Sequence, residues 1–538
     1  MSGWVDGWAA GRLGGWAAAL LVAGGAATIA AQAPQEPVDL LIVNARIVDG
    51  TGAPARAGSL AIHNGRITRI NPPSGTQARQ RIDAGGQVVA PGFIDVHTHA
   101  DGLADQPHAI NFVRMGVTTI VAGNCGGSAL DVGAAFEKIA DAPPAVNYAT
   151  LIGHNTVRSS VMGRAQRSPS ASELQQMKAL VFKGMADGAV GFSTGLQYIP
   201  GTYAESSEII ELARVAANEG GIYVSHMRNE GTALLEAVAE TINVGRLLRM
   251  PVQISHLKVD SPKQWGASAK ALALIDDARR RGIDVEADQY AYTAGSSGLA
   301  IRFPSWALEG TNAEVTARLK DDATWARIRN EIVQLLAERG FTDLSWATVA
   351  TYRPQPEYNG LSMKAVAQKM IGADTADAQL EAARRMMMNG GASMVYHFMS
   401  EDDVETIMKH PMVGFASDAG INVFGSGVPH PRGYGNAVRI LGRYVRERRV
   451  ISLEEAVRKL ASVPARQFGF AERGEIREGW VADLVIFDPA TVGDTATFDA
   501  PHAYPTGISH VLVNGQLVVQ SGEAAPARPG QVLRHQRR

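Results

Sequence analysis

The sequence predicts an α/β protein with three components: a (β/α)8 TIM-like barrel, a small β-sandwich domain built from both chain ends, and an insertion over the barrel mouth. The barrel is expected over residues 91–460, because short apolar runs typical of buried strands alternate there with longer helical patterns. The insertion is expected over about 299–391, where this alternation breaks down. It could form a lid over the active site or extra packing on the barrel wall, and both interpretations stay open.

The β-sandwich domain is predicted from hairpin signals at both ends of the chain. Asn64-Gly65 and Asn514-Gly515 each separate two alternating apolar runs, which is a strong signal for a two-residue hairpin turn. Neither the N-terminal segment (38–90) nor the C-terminal segment (461–525) would make a stable sheet alone. We therefore expect the two segments to meet in one domain.

The composition is that of an ordinary globular protein. The 538 residues are 46% apolar and 19% charged, which is sufficient for a large core. The formal net charge of -2 and the lack of a Lys/Arg-rich run exclude a typical nucleic-acid-binding protein. The expected partner is a small-molecule substrate, and the oligomeric state is left open.

Residues 1–33 have the pattern of a signal peptide. An apolar stretch at 14–31 follows Arg12, and the triplet A-Q-A at 31–33 fits a cleavage site. We expect export, to a periplasm, with no stable membrane span after the signal is removed. A retained membrane anchor is the alternative, although the stretch is rich in Gly and Ala and barely long enough to span a bilayer.

Polar side chains stand at the ends of the predicted barrel strands. His97 and His99 follow the run Phe93–Val96 and lie two residues apart, so both imidazoles can point to one face and hold one ion. In a (β/α) barrel, functional side chains collect at the C-terminal ends of strands. The other candidates follow later runs in the same way: Cys125, His154, His226, His256, Asp288 and Asp418.

The types of these residues indicate a metal-dependent hydrolase. Imidazole and thiolate ligands favour zinc over a hard cation such as magnesium. Asp418 could touch the metal and also act as the general base, passing a proton from water to the leaving amine. Cys125 is the single cysteine, so no intrachain disulfide forms, and its ordinary alternative is a buried apolar role. The predicted metal ligands are His97, His99, Cys125, His226, His256 and Asp418.

The candidate ligands lie within longer motifs, which are P-G-F-I-D-V-H-T-H (91–99), G-N-C-G (123–126), S-H-M-R-N-E-G (225–231), S-H-L-K (255–258), S-D-A-G (417–420) and H-P-R-G-Y-G (430–435). This set resembles the amidohydrolase superfamily and, within it, the D-aminoacylase (N-acyl-D-amino-acid deacylase) family. The resemblance implies zinc-dependent hydrolysis of the amide bond of N-acyl-D-amino acids to a carboxylate and a D-amino acid. It also implies one tight zinc site on Cys125, His226 and His256, with a second, weaker position at His97, His99 and Asp418.

The resemblance further suggests residues that contact the substrate. Tyrosine and lysine side chains would bond the carbonyl or carboxylate oxygens, and arginines would bind carboxylates in a bidentate fashion. Arg302 is the candidate that points to an acidic side chain or the α-carboxylate. Each candidate could equally be a surface or packing residue. The substrate candidates are Lys258, Tyr198, Tyr290, Tyr292, Arg228 and Arg302, and the residues expected to orient the metal ligands are His154 and His430.

Two other functions are compatible with the same scaffold. One is another amidohydrolase reaction, on a cyclic amide or a dipeptide, although G-N-C-G and the lack of an obvious carboxylated-lysine motif argue against it. The other is a catalytically silent, exported zinc- or peptide-binding protein, which the complete set of ligand candidates disfavours.

Overall fold

The computed structural model describes residues 36–535. The predicted signal peptide at 1–33 lies outside this range. No helix between residues 36 and 535 is both long and apolar enough to cross a membrane.

The strands alternate with helices through the middle of the chain and follow one another at both ends. In chain order they are β1 (Val38–Ile47), β2 (Arg56–His63), β3 (Arg66–Ile70), β4 (Ala78–Asp83), β5 (Val88–Pro91), β6 (Phe93–Asp95), β7 (Thr98–His99), β8 (Val117–Ala122), β9 (Asn147–Thr150), β10 (Ile152–Gly153), β11 (Gly191–Gly195), β12 (Ile222–His226), β13 (Val252–Ile254), β14 (Val285–Gln289), β15 (Ala294–Gly298), β16 (Ala347–Thr351), β17 (Ser393–His397), β18 (Val413–Phe415), β19 (Ala419–Gly420), β20 (Leu484–Phe487), β21 (Ile508–Val513), β22 (Gln516–Gln520) and β23 (Glu523–Ala524).

The α-helices are α1 (Ile110–Val113), α2 (Val132–Asp141), α3 (His154–Met162), α4 (Ala171–Ala186), α5 (Ser206–Asn218), α6 (Leu234–Leu248), α7 (Ser268–Arg280), α8 (Asn312–Lys320), α9 (Asp322–Arg339), α10 (Met363–Ile371), α11 (Ala376–Met388), α12 (Glu401–Lys409), α13 (Arg432–Arg439), α14 (Leu453–Leu460) and α15 (Ser462–Gln467). The sequence supplies caps where several of them start. Ser170 forms a capping box with Glu173 at α4, and Asp131 caps α2. Gly340, with φ of 95°, ends α9 in the left-handed conformation that suits glycine.

The barrel is built from eight parallel strand positions. One parallel sheet has the order β6-β8-β9, and another has the order β10-β11-β12-β13-β14-β18. A single residue, Leu151, separates β9 from β10. These two short strands therefore occupy one position of the barrel, where one sheet continues into the other. Strands β8, β11, β12 and β14 are buried along their whole length, as expected for parallel strands covered on both faces.

Polar contacts join the first and last barrel strands. The Asp95 carboxylate, at the end of β6, accepts the Ser417 backbone N–H at 3.0 and 3.1 Å. The Asp418 N–H donates to the His97 carbonyl at 2.9 Å, and β7 then pairs in parallel with β19. These bonds bring the His97-Thr98-His99 segment beside Asp418.

Strands from both chain ends form one sheet, in the order β23-β22-β21-β20-β5-β1-β2-β3, with β4 added on β1. Strand β20 pairs antiparallel with β5, which runs directly into the first barrel strand. The two Asn-Gly turns meet, since a Cβ on Gly65 would lie 2.9 Å from the Asn514 carbonyl oxygen. The pairing of β20 with β5 therefore joins the C-terminal segment to the strand that leads into the barrel.

The insertion lies between β14 and β18. It contains the antiparallel sheet β15-β17-β16 and helices α8 to α11. Its sheet starts at Ala294, five residues before the predicted boundary. Ser296, Ser297 and Gly298 from β15 line a cavity at the C-terminal ends of the barrel strands, so the insertion forms one wall of that cavity.

Lys459, on α14, is a buried lysine in the barrel wall. Its side chain is fully buried, its ammonium donates to the Met408 carbonyl, and it lies 5.4 Å from the Phe415 ring. Burial lowers the pKa of Lys459 from 10.5 to about 7. The folded protein therefore binds fewer protons than the unfolded chain between these values, so Lys459 makes stability rise with pH in this window.

Replacing this lysine should remove that pH dependence. The free energy of unfolding of the parent protein, relative to that of Lys459→Met, is expected to rise by about 1 kcal/mol per pH unit between about pH 7.5 and 9.5. Urea unfolding of both proteins at the two pH values measures this difference. Curves that shift in parallel would show that Lys459 does not titrate in the folded protein.

Candidate metal centre and active site

Four side chains converge on one point at the C-terminal end of the barrel. The Cys125 Sγ lies 3.3 Å from His97 Nε2, 3.6 Å from His226 Nδ1 and 3.7 Å from His256 Nε2. All four side chains are buried. They come from the ends of four strand positions, β6, β8, β12 and β13, as the sequence pattern predicts.

Asp418 completes the cluster from the last barrel strand. Its Oδ1 lies 3.0 Å from His99 Nε2 and 3.5 Å from His97 Nε2. Its Oδ2 lies 2.8 Å from the Arg432 Nη1. His99 is the most exposed member, with 42% of its side chain accessible, so the cluster opens to solvent on that side.

The backbone turns sharply at three of these residues. Cys125, His256 and Asp418 have φ values of 54°, 35° and 54°, a region that residues other than glycine seldom adopt. Gly195 lies so close behind Cys125 that a Cβ there would be 2.1 Å from the Cys125 carbonyl oxygen. The strand ends are thus held in conformations that direct the side chains inward.

Burial sets the protonation states of the nitrogen and sulfur donors. It lowers the pKa of His97, His226 and His256 well below the ordinary value, so these rings are neutral and able to bind a cation. Burial raises the pKa of the Cys125 thiol well above its ordinary value. A buried thiol among neutral imidazoles becomes a thiolate when a cation is present.

Asp418 responds differently. Burial alone would raise its pKa, but the Arg432 guanidinium and the neighbouring histidines hold the pKa of Asp418 well below its ordinary value. The carboxylate is therefore ionised and able to accept a proton or a metal. The donor atoms of His97, Cys125, His256 and Asp418 all lie within 4.8 Å of one another, so a single metal ion fits among them.

Lys258 and Glu230 lie directly behind the histidines. The Lys258 Nζ is 2.6 Å from Glu230 Oε1 and 2.7 Å from His256 Nδ1. Burial alone would lower the pKa of Lys258, but Glu230 outweighs it and raises the pKa. Sequence reasoning missed Glu230, which lies in the S-H-M-R-N-E-G motif, because the spacing in that loop does not show that it reaches two rings.

Asp288 supports the cluster from below. Its Oδ1 accepts the His256 backbone N–H at 2.7 Å, and its Oδ2 accepts Gln253 Nε2 at 2.8 Å. Oδ1 also lies 3.6 Å from His97 Nδ1. Burial raises the pKa of Asp288 to about 7.

A cavity of about 730 Å³ opens above the cluster. Tyr198 lines it, packs with its ring centroid 4.5 Å from that of His226 and accepts a hydrogen bond from Ser297 at 3.3 Å. The centroid of the Tyr290 ring is 5.7 Å from the Lys258 ammonium and 4.7 Å from the Arg432 guanidinium. Of these predicted substrate-binding residues, Tyr198 lines the cavity, whereas Tyr290 and Lys258 are buried beside the metal-ligand cluster.

Arg432 is a second residue that sequence reasoning missed. It is buried, lines the cavity and pairs with Asp418. His430 holds it in place, since its Nδ1 accepts the Arg432 backbone N–H at 3.0 Å while its Nε2 bonds the Ala294 carbonyl at 2.9 Å. The motif H-P-R-G-Y-G contained the signal, but only the histidine was singled out from it.

Two predicted substrate-binding residues lie away from the cavity. Arg228 is not a free carboxylate clamp, because its guanidinium pairs with Glu240 at 2.9 Å and donates to the carbonyls of Thr202 and Ala204. Tyr292 is buried and does not line the cavity. The Arg439 guanidinium lies 4.6 Å from the centroid of its ring.

His154 does not contact the metal ligands. Its Nε2 bonds Glu208 at 2.8 Å, and its Nδ1 lies 3.3 Å from the Asn155 side chain, which lines the cavity. It therefore supports the cavity wall through Asn155 instead of orienting a metal ligand.

Arg302 lies behind the insertion wall. Its guanidinium sits 4.4 Å from the Tyr396 ring, 5.0 Å from Trp346 and 5.7 Å from Phe398. Its Nε has no hydrogen-bond partner within residues 36–535, and burial lowers its pKa. Tyr396 donates to the carbonyl of Gly298, which lines the cavity, so this aromatic cage adjoins the cavity wall.

A barrel with a His/Cys/Asp cluster at its strand ends defines a metal-dependent hydrolase. Comparison with known proteins agrees: the model of the amidohydrolase family matches residues 80–519. This chain belongs to the amidohydrolase family.

Two relatives match nearly the whole chain. N-acyl-D-glutamate deacylase of Alcaligenes xylosoxydans xylosoxydans is 37% identical, covering 93% of this chain and 97% of the relative. D-aminoacylase of the same organism is 36% identical, covering 94% of this chain and 99% of the relative. A crystal structure of N-acyl-D-glutamate deacylase from Bordetella bronchiseptica, with zinc and a phosphonate mimic of the tetrahedral intermediate, has a TM-score of 0.80 and 37% identity, covering 93% of this chain and 100% of that chain.

Proposed function

We propose that this protein is a zinc-dependent N-acyl-D-amino-acid deacylase, which hydrolyses the amide to a carboxylate and a D-amino acid. The observation that carries the proposal is the placement of Asp418 within 4.8 Å of the Cys125 and His256 donors, beside a cavity that Cys125, Asp418 and Arg432 line. The similarity to an N-acyl-D-glutamate deacylase and a D-aminoacylase over almost the full length supports the reaction and the stereochemistry. Export to a periplasm is part of the proposal and depends on residues 1–33 alone.

The donor set fits zinc. Ligand atoms held about 2.0–2.3 Å from a tetrahedral zinc ion lie about 3.3–3.8 Å apart, and Cys125 Sγ lies 3.6 Å from His226 Nδ1 and 3.7 Å from His256 Nε2. We assign the tight site to Cys125, His226 and His256. A second, weaker position would use His97, His99 and Asp418, of which His99 is the exposed member.

The chemistry is divided between the ion and the chain. When bound, zinc polarises the amide carbonyl and makes water more acidic. Asp418 Oδ1 accepts the proton of the attacking water and then donates it to the departing amide nitrogen. Arg432 holds Oδ2 at 2.8 Å and so fixes the carboxylate with Oδ1 toward the cluster. The products are a carboxylate and a free amine.

The cations around the cavity would bind the anionic part of the substrate. Arg432 lines the cavity, and both Arg432 and Lys258 contact the Tyr290 ring, at 4.7 and 5.7 Å from its centroid. We assign the α-carboxylate of the amino acid to Arg432 and Lys258. Tyr198, which lines the cavity, would then flank the scissile amide, and Tyr290 contacts both cations.

The side chain of the amino acid is proposed to be acidic. A guanidinium enclosed by Trp346, Tyr396 and Phe398, with an Nε that lacks a partner among the described residues, can gain from an anion. Arg302 would supply that charge from behind the Ser296–Gly298 wall.

The first test is hydrolysis of paired N-acetyl-D- and N-acetyl-L-amino acids by the zinc-loaded protein. Turnover is expected for the D-isomers alone, and amine release measured with glutamate, aspartate, methionine and leucine derivatives would show it. Equal turnover of L-isomers, or hydrolysis of cyclic amides alone, would contradict the proposal.

Asp418→Asn should separate catalysis from folding. It keeps the shape of the side chain but cannot accept the proton, so kcat should fall by about 10²–10⁴-fold while the tight zinc remains bound. Steady-state kinetics and zinc content per chain measure the two effects. Asp494→Asn, which alters a carboxylate paired with Arg439 away from the cavity, is the matched control. Near-parent activity of Asp418→Asn would refute its role as general base.

Arg302→Met should reduce the preference for acidic substrates. The kcat/KM for N-acetyl-D-glutamate is expected to fall at least about tenfold, because the substrate carboxylate loses its partner, and that for N-acetyl-D-leucine should change little. Arg327→Met is the control, since Arg327 also stacks on a tryptophan of the insertion, 4.1 Å from Trp306. An equal fall for both substrates would assign Arg302 to packing.

A further inference from the structure

Glu230 is a buried carboxylate that faces two candidate metal histidines at once. Its Oε1 lies 2.9 Å from His256 Nδ1, and its Oε2 lies 3.8 Å from His226 Nε2. These are the ring nitrogens that do not face Cys125, whose Sγ is next to His226 Nδ1 and His256 Nε2. The buried His226 Nε2 has no hydrogen-bond partner within the described chain, and Glu230 supplies a nearby acceptor.

The protons of the two rings follow from this geometry. A neutral imidazole that ligates through one nitrogen carries its proton on the other. For His256 that proton is on Nδ1, and for His226 it is on Nε2, so both N–H groups point toward the same carboxylate. One ring comes from β12 and the other from the loop after β13, and both face the same carboxylate, His256 at hydrogen-bond distance (2.9 Å) and His226 at 3.8 Å.

Lys258 contacts both Glu230 and His256, and its position limits the bonds that His256 Nδ1 can make. Its ammonium lies 2.6 Å from Glu230 Oε1, 2.7 Å from His256 Nδ1 and 3.1 Å from the His256 carbonyl. A protonated Nδ1 cannot accept from the ammonium, so in the ligating tautomer Lys258 keeps Glu230 and the carbonyl as its acceptors. The same cation disfavours a metal ion placed directly on Glu230, although His226, Glu230 and His256 have a geometry that could hold one.

We propose that Glu230 is a positioning residue that fixes the orientation and tautomer of both His226 and His256 and holds Lys258 against them. The inference rests on the metal site of the proposed function and not on the identity of the amide. It adds to the metal site a carboxylate, from the loop after β12, that lies against two of the ligand histidines. Because that carboxylate also binds Lys258, it connects the metal ligands to a proposed substrate-binding cation.

Glu230→Gln in the full chain tests the proposal through zinc affinity measured without substrate. The amide offers one acceptor and one donor, so at most one ring N–H is satisfied and the zinc Kd should rise by roughly 10- to 100-fold. Competition with a chromophoric chelator measures the Kd, and the visible spectrum of the Co²⁺-loaded protein reports the ligand geometry. Glu240→Gln, which alters a glutamate paired with Arg228 outside the cavity, should bind zinc like the parent.

Lys258→Met separates positioning of the histidines from simple charge pairing. It removes the partner of Glu230 but leaves the carboxylate, so it should raise KM while the zinc Kd stays within about threefold of the parent. If Lys258→Met weakens zinc binding as much as Glu230→Gln does, Glu230 acts only through the lysine and the proposal is overturned.

Glu230→Asp is a second variant, which keeps the test decisive if Glu230→Gln fails to fold. It keeps the negative charge but shortens the reach, so one ring loses its acceptor and zinc binding should again weaken. Circular dichroism of the metal-free proteins checks folding. Parent-like zinc affinity in the Gln and Asp variants would overturn the inference, and because no substrate is present, that result is distinct from a failure to hydrolyse N-acyl-D-amino acids.

Discussion

The buried contact of one thiol with three imidazoles is the constraint on which the rest of the site depends. Cys125 Sγ lies within 3.7 Å of nitrogens of His97, His226 and His256. In the absence of a cation, burial opposes both the thiolate and the imidazolium forms, so the cluster gains most of its electrostatic stabilisation when a metal ion is bound. The positive φ values at Cys125 and His256 and the close approach of Gly195 are consequences of bringing these groups together.

The charges around this cluster are arranged in two ion pairs. Arg432 pairs with Asp418, and Lys258 pairs with Glu230. Each buried carboxylate thus has a cation within 2.8 Å and a metal ligand within hydrogen-bond reach, which limits the penalty of burying it. Both cations contact the Tyr290 ring, so the two ion pairs are joined through one aromatic side chain.

The sequence predicted the features of the site that follow from strand periodicity. The ligands stand at the ends of apolar runs, and a parallel barrel brings those ends together, so the spacing alone pointed to them. It could not show that Arg228 is taken up by Glu240 or that Glu230 reaches two rings, because those contacts join a loop to a helix and to a neighbouring strand end. Strand β15, A-G-S-S-G, begins before the predicted start of the insertion at about 299, and the sequence did not reveal it because it lacks the apolar pattern of a strand.

The sheet shared by the two chain ends has a consequence for biosynthesis. Strand β5 leads into the barrel, yet its antiparallel neighbour β20 begins about 390 residues later in the chain. At about 5–20 residues per second, a ribosome needs roughly 20–80 s to deliver β20. During that interval one edge of β5 has no partner and exposes the backbone groups through which nascent chains aggregate. A chaperone that covers this edge would therefore act before the barrel can be completed.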